Sequence, residues 1–176
     1  MHTQRIEEFL ISSTTHQQIA QLFAECFPEY PHKRSYLKQV PTFRFLVWEE
    51  DNLIAHLGVE HRFIRMGDAV IRIFGVADLC VSEAYQSQKI ASSLLTELHQ
   101  LGKGNSIDFI VLASGEHEFY EKLGFKLVQN TCRWLMINEH QMLGIAHRRI
   151  EESLMVKPVG DKQWKSGLVD FLGHIF

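Results

Sequence analysis

Leu79-Cys80-Val81-Ser82-Glu83-Ala84-Tyr85-Gln86-Ser87-Gln88-Lys89-Ile90-Ala91-Ser92-Ser93-Leu94-Leu95 is the stretch that decides how this chain is read. An apolar strand ends at Val81 and a short polar loop follows. Ile90, Leu94, Leu95, Leu98 and Leu101 then recur at helical spacing. A strand that feeds a loop and then a helix leaves amides facing outward at the helix N-terminus, where the dipole adds partial positive charge. Such a loop suits phosphate, provided its side chains are small enough for close approach. Ser87, Ala91 and Ser92 meet that condition. Lys89 does not, although its ammonium can reach a phosphate or turn to solvent. Taken alone, the loop is equally an ordinary strand-to-helix connection.

Upstream, Ile6 to Ile11 reads as a first strand, and Ser12-Ser13-Thr14-Thr15 offers helix N-caps. Ile19, Leu22, Phe23, Cys26 and Phe27 mark an amphipathic helix, ended by Pro28 and Pro31. His32 to Gln39 is expected to form a short second helix. Phe43 to Trp48, Leu53 to Arg65 and Ala69 to Val81 read as an antiparallel meander with turns at Glu49-Glu50-Asp51-Asn52 and Met66-Gly67-Asp68. Downstream, a helix runs to about Leu101, with Gly102 or Gly104 suited to a left-handed cap. Phe109-Ile110-Val111-Leu112-Ala113 is continuously apolar, the mark of a strand buried on both faces. Strand, loop, helix and strand imply parallel pairing of this run with the strand ending at Val81. A helix over His117 to Leu123 stops at Gly124. Phe125 to Gln129 and Cys132 to Ile137 are expected to close as a hairpin. His140 to Leu154 has mixed helical character, and Met155 to Val159 looks like one more strand. Trp164, Leu168, Val169, Phe171, Leu172, Ile175 and Phe176 are too apolar to leave in water, so the tail should dock.

Bulk properties narrow the classes. The chain has 176 residues, 45% of them apolar and 22% charged, as in a globular domain with a sizeable core. A net charge of −3 gives no whole-protein attraction to nucleic acid or an anionic membrane. No apolar run reaches the roughly 20 residues of a membrane span. The first residues lack the pattern of a signal peptide. Cys26, Cys80 and Cys132 are odd in number and widely spaced, which fits a reducing cytoplasm and core packing better than disulfides or zinc.

The run Tyr85 to Ala91 resembles the acetyl-CoA signature of the GNAT superfamily of N-acetyltransferases, roughly Arg/Gln-x-x-Gly/Ala-x-Gly/Ala. Gln86 takes its first position and Ala91 its last, while Lys89 stands where Gly or Ala is usual. Glu118-Phe119-Tyr120-Glu121-Lys122-Leu123-Gly124-Phe125 resembles the FYxKxGF segment of the same superfamily, at the right distance downstream. The likeness is good over about residues 45 to 137. It implies an α/β fold: a mixed, mostly antiparallel sheet flanked by helices, with a splayed parallel strand pair. The domain is expected to span 1–176, with a core over about 43–137 and a docking segment over about 138–176.

The resemblance also implies the chemistry. Strand backbone at Leu79, Cys80 and Val81 would pair with the pantetheine arm of acetyl-CoA, as an added strand would. Gln86, Ser87, Gln88, Lys89, Ile90, Ala91 and Ser92 would wrap the diphosphate. The helix-loop-helix region, with Phe27, Tyr30, His32, Arg34 and Tyr36, would wall the acceptor pocket or else serve only as a surface connector. Tyr120 would protonate the leaving thiolate, a role that suits a phenol at neutral pH. An amine must lose a proton on attack, and Glu60, His61 and Asp78 are candidate bases. Asp78 comes first, because a carboxylate within Val76-Ala77-Asp78-Leu79 must be paired or open to a cavity. His56 and His61 fall on opposite strand faces, and the ten histidines show no metal-ligand spacing.

Ala77 to Val81, Phe119-Tyr120, Trp164 and Val169-Asp170 are loosely similar to the aminoglycoside 2′-N-acetyltransferase branch, which would turn Glu116 and Asp170 toward a cationic acceptor. The expected activity is acetyl transfer to a primary amine of a small molecule by direct attack in a ternary complex. The alternatives are a non-catalytic CoA-binding module of the same fold and a longer-chain N-acyltransferase. Bulky Phe74 and Phe119 oppose the second of these. Two copies could pair through the tail or a shared sheet, as a homodimer.

Overall fold

The computed structural model describes residues 1–29 and 34–176. Local chemistry sets most element ends. Ser12 Oγ accepts the Thr15 amide at 3.1 Å and caps helix α1 (Ser13–Cys26). Strands β2 (Phe43–Glu49) and β3 (Asn52–Met66) meet at a turn where Glu50 has φ of 53°. Gly67, at φ of 59°, turns β3 into β4 (Ala69–Val81). Helix α2 (Ile90–Lys103) buries Ile90, Leu94, Leu95 and Leu98. Strand β5 (Phe109–Ala113) buries its first four residues, as a run without alternation should. The short helix α3 (His117–Glu121) gives way to Gly124 at φ of 86°. Among the described residues no helix is long and apolar enough to cross a membrane.

The chain divides into two compact units. The first comprises Met1–Glu60 and Ala77–Leu95. Here β1 (His2–Glu7) pairs antiparallel with β2, and β2 with β3, in the registers Glu7–Phe43 and Phe43–Val59. Ile19, Leu22 and Phe23 of α1 pack with Leu46 and Cys80 as its core. The first strand starts earlier than Ile6 and ends at Glu7, because Glu8–Leu10 coils into a 3-10 turn. The expected second helix is absent from 34–39, which is irregular, and its first residues, His32 and Lys33, lie outside the described residues. Pro41 disfavours helical backbone before it, and Ser35, Leu37 and Lys38 make contacts to the sheet that a helix would not need.

The second unit comprises His61–Val76 and Thr96–Phe176. Its strands are β6 (Lys126–Leu127), β7 (Asn130–Asn138), β8 (Gln141–Ile150), β9 (Leu154–Pro158) and β10 (Leu168–His174), together with β5 and its parts of β3 and β4. The order is β6-β9-β5-β4-β3-β10-β7-β8. The expected parallel pair is present: Ile73–Gly75 of β4 lie against Phe109–Val111 of β5. A second parallel pair, β10 on β7, has no counterpart among the sequence-based expectations. The ladders β1–β2, β2–β3, β3–β10, β5–β9, β6–β9 and β7–β8 are antiparallel.

Three further expectations need correction. Phe125 to Gln129 does not close a hairpin with Cys132 to Ile137. β6 pairs with β9, while β7 forms its hairpin with β8. The mixed run from His140 is strand rather than helix, because cross-strand partners from Asn130–Ile150 to Asn138–Gln141 override a weak local pattern. Helix α2 ends without a left-handed glycine, and Ser106 at φ of 55° makes that turn instead. Gly102 serves close packing, since a Cβ there would sit 3.0 Å from Val159. The tail docks as expected: Val169 and Phe171 are fully buried, and the Phe176 ring covers Gly75, where a Cβ would lie only 1.9 Å away. Leu168 and Leu172, by contrast, stay exposed.

Candidate active site

The loop after β4 is built for backbone presentation. The Ser82 amide bonds Ile54 O at 2.9 Å, and Glu25 accepts both Ser82 Oγ and the Glu83 amide at 2.8 Å. Glu83–Tyr85 makes one 3-10 turn, and Gln86 then extends. Ser87 and Lys89 follow at φ of 63° and 64°. Left-handed backbone costs a side-chain-bearing residue about 1–2 kcal/mol, which gives a physical reason for glycine at such positions. Here Lys89 holds that conformation with its side chain exposed. Lys89 O accepts the first helical bond of α2, from the Ser93 amide at 2.9 Å. The amides of Ile90 and Ala91 therefore precede the helix's own bonding. Ile90 turns its side chain into the core, Ala91 and Ser92 are half-buried, and Gln86, Ser87 and Gln88 are exposed.

Along β4, Cys80 is buried while Leu79 and Val81 are half-buried. Val81 O already receives Gln86 Nε2 at 3.2 Å and Cys26 Sγ at 3.5 Å. The Gln86 side chain thus braces the loop from within. A hydrogen bond with Cys80 lowers the Cys26 thiol pKa, and burial raises that of Cys80. Two cysteines far apart in sequence are therefore neighbours, as free thiols.

Asp78 interrupts β4 with φ of 55°. Asp is among the few residues that tolerate this backbone. Its Oδ2 accepts the Leu37 amide at 3.3 Å, and its carbonyl meets His56 Nδ1 at 2.8 Å. Burial pushes its carboxyl up to about 6, against the pull of the Leu37 amide, Arg44 and Lys38. A carboxyl poised there can accept a proton near neutral pH. Of the other candidate bases, Glu60 is buried and His61 is exposed, with its ring 5.6 Å from that of Phe74.

Tyr120 is buried in α3 between Phe119 and Phe125, whose rings lie edge-on at 5.0 and 5.5 Å. Burial raises its phenol above the ordinary value, a hydrogen bond with Ser114 partly opposing this. It therefore keeps its proton at neutral pH. Asp170 is held below the usual carboxylate range, first by its hydrogen bond from Arg133. It is committed to that pair rather than left open to a cation. Glu116 is exposed.

A GNAT acetyltransferase domain model matches residues 10–128. This chain belongs to the GNAT acetyltransferase family. Solved structures agree on the fold. YhbS of Escherichia coli, in complex with CoA, has a TM-score of 0.65 at 17% identity, covering 96% of this chain and 88% of YhbS. An aminoglycoside 6′-N-acetyltransferase complexed with coenzyme A has a TM-score of 0.61 at 17% identity, covering 93% and 99%. A GNAT acetyltransferase of Brucella melitensis with acetyl-CoA has a TM-score of 0.61 at 15% identity, covering 96% and 94%. No curated protein matches the chain.

The GNAT domain carries two features that sequence reasoning missed. One is a cavity of about 770 Å³ in the first unit. Ala20, Ala24, Tyr36 and Val40 give it apolar wall, and Glu8, His16 and Arg34 stand among its polar lining. The other is a buried polar row, Glu8–Arg44–His56, ending at the Asp78 carbonyl. A signal for it was present: Arg44 interrupts the apolar run Phe43 to Val47, just as Asp78 interrupts its own.

Proposed function

We propose that this GNAT domain transfers the acetyl group of acetyl-CoA to a primary amine of a small molecule by direct attack. The observation that carries the reading is the loop Gln86–Ala91, with its two left-handed residues and its amides at the N-terminus of α2. Those amides fit a diphosphate and need no side-chain charge to do so. The CoA-bound neighbours of the same fold support this choice of donor.

The roles of the residues follow. The amine nitrogen forms its bond to the thioester carbonyl carbon while Asp78, directly or through one water, takes the proton the amine loses. The carbon–sulfur bond then breaks, and Tyr120 gives its proton to the departing thiolate. The products are an amide and free CoA. The 770 Å³ cavity is of a size for a small acceptor, and its largely carbon wall favours one with an apolar body. Among its described lining residues the carboxylate, Glu8, is bonded to Arg44. A single amine on such a body is therefore a better match than a polycation.

Thiol release from acetyl-CoA with a panel of aralkylamines, polyamines and aminoglycosides tests the reading. Release with primary amines, highest for those with apolar bodies, is expected. Acetyl-CoA binding without release across the panel would leave a non-catalytic module, and release only from longer acyl-CoA would move the donor class.

A further inference from the structure

The polar row beneath Asp78 has no part in the reaction as described so far. Arg44 and His56 are both fully buried, on adjacent strands β2 and β3. Such groups stay in a core only when their hydrogen bonds are made. Arg44 donates from Nη2 to Glu8 Oε1 at 3.0 Å and from Nε to Oε2 at 2.5 Å. Its Nη1 donates to Ser35 O at 2.6 Å and to His56 Nε2 at 2.7 Å.

A guanidinium only donates, so His56 Nε2 must accept. The hydrogen of the neutral ring is therefore on Nδ1, which donates to Asp78 O at 2.8 Å. Burial first, and Arg44 second, keep the ring neutral, and Phe23 closes its edge at a centroid distance of 5.0 Å. Gly58 completes the setting: a Cβ there would stand 3.0 Å from Ala77 O, so glycine lets β3 approach this kink closely. The left-handed backbone of Asp78 is thus held at its carbonyl by His56 and at its carboxylate by the Leu37 amide.

We propose that His56, locked in one tautomer by Arg44 and Glu8, is the positioning residue that fixes the β4 kink and thereby aims the Asp78 carboxylate. The catalytic consequence rests on Asp78 serving as the base. His56 itself touches no substrate. It acts by giving one hydrogen bond in a direction that the Arg44–Glu8 ion pair determines. Glutamine can reproduce both ends, an oxygen accepting from Arg44 and an amide hydrogen donating to Asp78 O. Leucine reproduces neither.

The experiment has two arms. In the first, long-range nitrogen–proton NMR reads the His56 tautomer, and carbon-detected NMR reads the Asp78 titration. Lys38, Glu60, Arg44 and the Leu37 amide all face that carboxyl and are left intact. The expected result is a neutral Nδ1–H ring from pH 5 to 8 and an Asp78 midpoint near 6. His56→Leu should move that midpoint by at least about one pH unit and His56→Gln should not. In the second arm, His56→Leu should lower kcat roughly tenfold or more while KM for acetyl-CoA stays within about twofold, and His56→Gln should recover most of the loss. An Nε2–H tautomer, an unmoved Asp78 midpoint in His56→Leu, or equal kinetics for Leu and Gln would overturn the proposal. If the wild type transfers no acetyl group, the base assignment fails, and the NMR arm still decides whether His56 sets Asp78. If His56→Leu does not fold, the wild-type tautomer and the kinetics of His56→Gln decide, with a tenfold loss in the latter counting against it.

Discussion

Single residues carry the proton steps of the proposed reaction, and each has a measurable signature. Tyr120→Phe removes one hydroxyl from an aromatic cluster and should leave the fold intact. General acid catalysis contributes about 10²–10⁴-fold, so kcat should fall by that order while calorimetric affinity for acetyl-CoA is kept. Unchanged turnover would remove Tyr120 from the mechanism.

Asp78 links activity to stability through pH. Its folded-state pKa of about 6 lies above the ordinary 3.8. The stabilisation from a protonated Asp78 is therefore complete below pH 3.8 and is lost as pH rises through about 6. A rise of that size corresponds to roughly 3 kcal/mol. Asp78→Asn keeps the left-handed tolerance and an acceptor for the Leu37 amide but cannot ionise. Relative to wild type it should gain stability between pH 4 and 7, measured by urea unfolding, and lose turnover. A constant stability difference across that range would contradict a buried, titrating Asp78. His56 works in the opposite sense: its lowered pKa makes the fold weaken as pH falls below about 6.5, in wild type and variant alike.

Elements were legible where the pattern was continuous and local. The apolar run of β5 and the Ala69–Val81 strand match their sequence-based limits, and Ser12, one of four candidate caps, is the residue that caps α1. Elements that owe their state to distant partners were not legible. β8 has a weak pattern and is a strand because β7 pairs with it. β10 runs parallel to β7, and no local signal in Leu168–His174 specifies that neighbour. The strand-loop-helix passage from β4 to α2 was legible from its pattern, but its left-handed residues were not, since Ser87 and Lys89 give no local cue for φ above zero. Asp78 was legible as an oddity, whereas its kink and the row beneath it depend on three strands meeting.

The loop and the tail each offer an element-scale test. Ala91→Glu places bulk and negative charge among the amides proposed to grip the diphosphate. Acetyl-CoA affinity should fall at least about tenfold, equivalent to roughly 1.4 kcal/mol, with little change in melting temperature. Equal affinity would argue that the donor binds elsewhere. In the second unit, Gly75 and the Phe176 ring exclude each other's substituents. Gly75→Ala should cost about 1–3 kcal/mol in the wild-type background by overpacking, and much less when Phe176 is also changed to Ala. Additive costs in a double-mutant cycle would show that the tail does not rest on β4 at this point.

At the scale of the molecule, the division of labour follows from which parts have free backbone to offer. Most strands in both units spend their amides on neighbours. Where β4 gives way to α2, the amides of Ile90 and Ala91 precede the helix's own bonding, and these are the amides proposed to meet the donor. The net charge of −3 supplies no long-range pull toward a cationic acceptor, so the choice of amine must come from short-range fit.

The measurement that bears most directly on the phosphate loop is isothermal titration of the wild-type chain and the Ala91→Glu variant with acetyl-CoA. Saturable, one-to-one heat is predicted for the wild type, and at least tenfold weaker binding for the variant. Absence of heat at millimolar acetyl-CoA, or identical isotherms for the two proteins, would contradict donor binding at this loop.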